Sequence, residues 1–200
     1  MTDPTDSPLS RFQLSMIMDY EKWHDGIGYD LEVLKELSAG ERRVIEETLI
    51  NKKPLDWRDV EALAVLDTPF ARKTLKAAAS GSDPEVRMAV VRYAPSMITN
   101  AERTASILKA LKKAKLFGGL SQALDEIEEF HPPEIIAELF HGALRREGEV
   151  AVLFAAMLFF VYGKTSVAFD MEQRPFFLRF NTADSGERQK VFDELCNILG

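Results

Sequence analysis

The sequence predicts an all-α protein: an α–α superhelix of stacked helix pairs, closed by a divergent C-terminal unit. Three observations carry that expectation. Apolar residues recur at helical spacing, from Leu9, Phe12, Met16 and Tyr20 near the start to Val191, Phe192, Leu195 and Leu199 at the end. Helix starts are marked by capping side chains, twice with a proline behind the cap, in Thr68-Pro69 and Asp83-Pro84. The chain also repeats itself at a shift of 64 residues: Pro69 meets Pro133, Leu75 meets Leu139, Glu85 meets Glu149, Val86 meets Val150 and Ala89 meets Leu153. Leu108 and Leu120-Ser-Gln-Ala123 fall at about half that shift. A two-helix unit of roughly 32 residues is too small to bury its own apolar face, and stacking on neighbours solves the problem.

Taken in order, residues 1–8 read as a disordered tail and 9–55 as N-terminal helices. Leu9 to Trp23 is the first helix, ended by Gly26 and Gly28. Asp30 caps a short helix, Leu31 to Leu37. Ser38-Ala-Gly-Glu41 has capping-box spacing and opens a helix that runs to about Ile50 before Pro54 breaks the chain. Residues 56–162 are expected to form the helix pairs. Asp56 caps a helix bearing Val60, Leu63, Ala64 and Leu66, and helices follow over 69–79, 84–93, 100–115, 119–130, 133–146 and 149–162. Within them Val86, Ala89, Val90, Leu120, Ala123, Val150, Leu153 and Phe154 are expected on the buried face. Residues 163–200 hold an aromatic and arginine segment and a last helix opened by Asp184-Ser-Gly-Glu187. Only 163–183 resists a helical reading, and Phe176–Phe180 reads as an extended run. Residues 9–200 are expected to form one continuous domain.

The segment Asp83-Pro84-Glu85-Val86-Arg87-Met88-Ala89 resembles the start of the second helix in HEAT and PBS-lyase-like HEAT repeats. There the pattern is Asp, Pro, a variable residue, Val, Arg, a variable residue, Ala. The preceding helix, with Ala71, Leu75 and Ala78, resembles the first helix of such a pair. Glu147-Gly148-Glu149-Val150 keeps the acid and the valine but has Ala151 in place of the arginine. The resemblance covers about 56–160. The whole chain is also similar to bacterial proteins known only as HEAT-repeat-containing, some of them in toxin–immunity systems. The resemblance implies a solenoid that binds another macromolecule and, in its sharpest form, an immunity protein that neutralises a toxin.

Composition narrows the classes further. The 200 residues are 46% apolar, enough to bury a sizeable core. Cys196 is the one cysteine, so an intramolecular disulfide and a Cys-rich zinc site are both excluded. Met1 to Ser10 carries Asp3, Asp6 and two prolines without a basic start or an apolar run, so no secretory signal is expected. Val150–Tyr162 is too short to span a bilayer, and the expected address is the cytoplasm. The net charge of −7 argues against nucleic acid as the main ligand, because such binding rests on a basic face. It suits a basic protein partner.

No catalytic constellation, metal site or cofactor motif is read from the chain. Trp23-His24-Asp25 sets one His beside one Asp, but His131 and His141 lie far away, and the His-Glu dipeptides through which HEAT-like deoxyhypusine hydroxylases bind iron do not occur. Cys196 is spaced as a core residue with Phe192 and Leu199. Phe117-Gly-Gly lacks the Lys-Ser/Thr of a phosphate loop. The alternative to a binding protein is a DNA-acting enzyme of the HEAT-like alkylpurine glycosylase type. Its best support is the basic run Arg103–Lys115, which the acids Asp125 to Glu138 on the following helices answer. The partner-binding candidates are Trp57, read as a core plug or an anchor, and Arg174, Phe177 and Arg179. The last three lie in Phe169–Phe180, where four aromatics and two arginines break the repeat pattern. That segment reads either as a cap with Asp170 paired to Arg174, or as a recognition surface above packed Phe176 and Phe180.

Overall fold

A computed structural model describes residues 7–113 and 120–200. The expectations for residues 1–6, Lys115 and Phe117-Gly-Gly lie outside the described residues. Among the described residues the chain is all-α, with thirteen α-helices and no strand. It divides at Ile98–Thr99 into two compact units. No helix among the described residues is long and apolar enough to cross a membrane.

The first unit holds α1 (Pro8–Ser15), α2 (Tyr20–His24), α3 (Val33–Glu36), α4 (Ala39–Asn51), α5 (Trp57–Leu66), α6 (Pro69–Ala79) and α7 (Pro84–Tyr93), followed by a 3₁₀ turn at Pro95–Met97. The start signals act as expected. Ser38 and Glu41 exchange hydrogen bonds as a capping box, Thr68 accepts from the Ala71 N–H, and Asp83 accepts from the Glu85 and Val86 N–H groups. α5 packs against α4, α6 and α7, and α6 packs on α7. The first 15 residues of expected helix behave differently. Leu9–Trp23 is two helices, because Asp19 caps a new start through the Lys22 N–H at 2.8 Å. Lys22 Nζ meanwhile donates to the Ile17 carbonyl at 2.9 Å, just beyond the end of α1.

The second unit holds α8 (Asn100–Lys112), α9 (Leu120–Glu129), α10 (Pro133–Arg145), α11 (Glu149–Val161), α12 (Arg174–Leu178) and α13 (Ser185–Leu199). α10 lies at its centre, against α8, α11 and α13, and its most extensive contact is with α11. Gly142 makes that approach possible. A Cβ there would stand 2.1 Å from Cδ2 and 2.2 Å from Cε2 of Phe154, whose ring is fully buried. Val86, Ala89, Val90, Leu120, Ala123, Val150 and Phe154 are buried as expected. Leu153 is only half-buried, because it stands at the rim of a groove beside α12.

The expected extended run is also corrected. Residues 174–178 form a helical turn with Pro175 in its first two positions, where the missing N–H costs nothing. Helical spacing then puts Phe177 and Phe180 on one face, at 3% and 0% exposure, whereas strand alternation would have parted them.

The Gly142 contact predicts that Gly142→Ala destabilises the protein by about 2–3 kcal/mol through overpacking. It does so although Ala is worth about 1 kcal/mol more than Gly inside a helix. Denaturant unfolding of the variant measures the loss, and Gly142→Ala combined with Phe154→Leu should recover part of it.

Candidate functional site

Of the residues expected to contact a partner, Arg174 and Phe177 come together along a groove of about 370 Å³. Val152 and Leu153 of α11 form one side of it, and Phe169, Met171 and Leu178 the other. Phe177 is not available to a partner there. Its ring packs edge-on against Phe159 at 5.0 Å, so it forms the floor. Arg174 is exposed and pairs with no carboxylate among the described residues. Asp170 accepts from the Glu172 N–H at 2.9 Å instead of meeting Arg174. Arg179 pairs with Glu194 of α13 at 2.7 Å and lies over the Phe176 ring, which fastens α12 to the last helix. The segment thus packs Phe177 onto α11 and ties Arg179 to α13, and leaves Arg174, Met171 and Leu178 exposed.

Trp57 belongs to the first unit. It is half-buried against the core and stacks on Tyr93 with ring centroids 6.4 Å apart. It stands in sequence between members of a polar cluster that gives α5 its start. Asp56 accepts from the Arg58 and Asp59 N–H groups, and Asp59 accepts from the Asp56 N–H at 2.7 Å. Asp59 has no exposed surface, so the rest of its carboxylate needs partners. The Tyr29 hydroxyl donates to it at 2.7 Å, and Lys52 Nζ donates to Asp59, Asp56 and the Tyr29 oxygen at 2.9–3.0 Å. Arg58 clamps Asp56 at 2.6 Å and covers the Tyr29 ring. Burial pushes the Tyr29 hydroxyl up to about 12, against the pull of the Lys52 hydrogen bond. Burial alone would lower Lys52, but its bonds to Tyr29, Asp59 and Asp56 more than reverse that and hold the ammonium above its ordinary value.

The surface that sequence reasoning missed lies between α1 and α2. Tyr20 is 76% and Trp23 69% exposed, with ring centroids 6.2 Å apart. Leu14, Ile17, Met18 and Ile27 are exposed in the same segment. Asp19, Glu21 and Asp25 stand among them, exposed. Lys22 is turned back onto the Ile17 carbonyl, and His24 faces Asp25 at 2.8 Å. The signal available beforehand was Asp19 itself. A cap residue in mid-stripe splits one amphipathic helix into two short ones with too little length to bury both Tyr20 and Trp23.

In the basic run of α8 only Arg103 is engaged within its own unit, while Lys109, Lys112 and Lys113 are exposed and pair with no carboxylate among the described residues. Arg103 pairs with Glu126 of α9 at 2.7 Å and lies 4.5 Å over the Phe130 ring. Among the described residues no three of His, Cys, Asp and Glu stand together as metal ligands. Comparison with known proteins finds no matching family model, no similar curated protein and no similar solved structure.

The Tyr29–Lys52–Asp59 cluster predicts an alkaline limit to stability. Tyr29 and Lys52 both have folded values above their unfolded ones, so their contribution is complete below about pH 10 and is lost as pH rises through the folded values, about 12 for Tyr29. Tyr29→Phe should lower stability by about 1–2 kcal/mol at neutral pH. It should also flatten the alkaline loss, as denaturant melts between pH 8 and 11 would record.

Proposed function

We propose that this chain is a non-catalytic protein-binding protein of HEAT-like stacked helices, which holds a basic protein partner against the α1–α2 edge. The observation that carries the reading is the pair of exposed rings, Tyr20 and Trp23, set among Asp19, Glu21 and Asp25. Large aromatics supply most of the energy of protein interfaces, and they do so because burial in the complex removes their area from water. The carboxylates add charge complementarity to a basic partner and raise its on-rate. The net charge of −7 works in the same sense at longer range.

The solenoid part of the proposal draws on the packing order. Within the first unit α5 touches both α6 and α7, and within the second α8 touches both α9 and α10. α5 and α8 thus each meet the following helix and the next but one, as in stacked helix pairs, whereas α9 meets α8 and α11. A cytoplasmic immunity protein that neutralises a toxin is the sharpest version of the reading. It rests on the similarity of the whole chain to bacterial HEAT-repeat-containing proteins, some of them in toxin–immunity systems.

The test separates binding from folding. Tyr20→Ala combined with Trp23→Ala removes rings that are mostly in solvent, so stability should stay within about 0.5 kcal/mol of the parent. Affinity for the partner, measured by calorimetry or by rescue from a cognate toxin, should fall about tenfold or more. The parent's association rate should fall with added salt. A folded double variant that binds like the parent would remove the α1–α2 edge from the interface.

A further inference from the structure

A second surface in the first unit has the opposite charge and goes beyond the reading above. α4 and α6 leave two grooves between them, of about 710 and 430 Å³. Phe70 lines both and is 70% exposed. It stands in the first turn of α6, where Thr68 caps the helix and Glu46 of α4 reaches across to accept from Thr68 Oγ1 and the Ala71 N–H. That bridge fixes α4 against the start of α6 and keeps Phe70 directed outward. Ile50, Leu55 and Leu66 supply apolar lining on either side.

Charge is distributed unevenly around these grooves and the hollow on the far side of α6. Six exposed cations, Arg42, Arg43, Lys53, Arg72, Lys73 and Lys76, meet three carboxylates, Glu46, Glu47 and Asp67. All three carboxylates are engaged: Glu46 in the cap, Glu47 with Arg43 at 3.0 Å, and Asp67 with Arg72 at 2.6 Å. Lys53, Lys73 and Lys76 pair with no carboxylate among the described residues. A chain with net charge −7 therefore carries a local cationic face around an exposed phenylalanine.

We infer that the α4–α6 face is a docking surface for an acidic amphipathic helix of a partner protein. Its apolar side covers Phe70, Ile50 and Leu66, and its carboxylates meet Lys53 and Lys73. Charge complementarity selects an acidic partner, and the apolar lining selects one with an apolar side. A phosphate backbone fits less well. It has no apolar face to lay on Ile50 and Leu66, and Glu46, Glu47 and Asp67 would stand in its path. α6 has 11 residues, so a helix of about three turns, ~16 Å long, spans both grooves.

The experiment uses the full chain and fluorescein-labelled designed helical peptides of about four turns. The peptides share one Leu/Phe face and differ only in whether the rim is Glu, Gln or Lys. A single-stranded DNA of equal charge is the competitor. The Glu-rimmed peptide should bind at least about tenfold more tightly than the Lys-rimmed one, with affinity falling as salt rises. Phe70→Ala, and separately Lys53→Glu with Lys73→Glu, should each weaken it by about tenfold while the melting temperature holds, since all three side chains are exposed. The Tyr20→Ala/Trp23→Ala variant should bind it like the parent, which keeps this test apart from that of the α1–α2 edge. Equal binding of the three rims, binding indifferent to Phe70, absence of binding, or a DNA that displaces the peptide at equal concentration would each overturn the inference.

Discussion

A carboxylate with no exposed surface survives in a folded protein only if fixed donors replace its water, and Asp59 is placed so that three segments supply them. The Asp56 N–H comes from the start of α5, Lys52 from the end of α4, and the Tyr29 hydroxyl from the loop after α2. The cluster also reaches back to the start of the chain through Tyr29 and through Arg58, which clamps Asp56. Tyr29 packs edge-on against Phe12 of α1, and Arg58 reaches Met18 at 3.6 Å. The cluster therefore holds the α1–α3 segment against α4 and α5. The exposed edge with Tyr20 and Trp23, and the α4 side of the grooves around Phe70, are both held by elements that this one charge ties down.

Short elements explain where the apolar surface is left over. A two-turn α1 and a five-residue α2 can each turn only one face inward, and Phe12 takes the inward position. Met16 packs at the edge of the core, but Leu14, Ile17, Met18, Tyr20, Trp23 and Ile27 are left exposed. At the other end of the chain the same shortness has the opposite result. α12 has only five residues, but Pro175 starts it and Phe177 and Phe180 fall on one face, so the turn closes over Phe159 and becomes part of the core. What remains open there is the rim formed by Arg174, Met171 and Leu178.

Net charge and local charge favour molecules of opposite sign. The excess of acid over base suits a basic molecule approaching from a distance, where all charges add. At contact distance only the nearest side chains count, because exposed charges are screened within about 8–10 Å. The α1–α2 edge keeps the acidic character of the whole. The face around Phe70 reverses it, because its carboxylates are engaged in a helix cap and two ion pairs while its lysines are not. One small helical unit can therefore present two surfaces with distinct preferences.

Much of this was legible in the residues themselves, and the limit is physical. The all-helical class, the caps at Ser38, Asp56, Thr68, Asp83 and Asp184, and the buried set from Val86 to Phe154 depend on periodicity and on hydrogen bonds that close within a few residues. Such interactions are written locally, so the chain states them without its tertiary context. The fate of Phe177 was not written there, because a five-residue run with alternating character fits a strand or a turn until Phe159 supplies a neighbour. Nor was the exposure of Tyr20 and Trp23, which depends on whether any distant helix arrives to cover them. The engagement of Arg103 by Glu126 and of Arg179 by Glu194 likewise joins residues on different helices. Local capping and periodicity determined which residues form helices; only the tertiary structure decided which side chains were left facing water, because burial depends on neighbours far away in the chain.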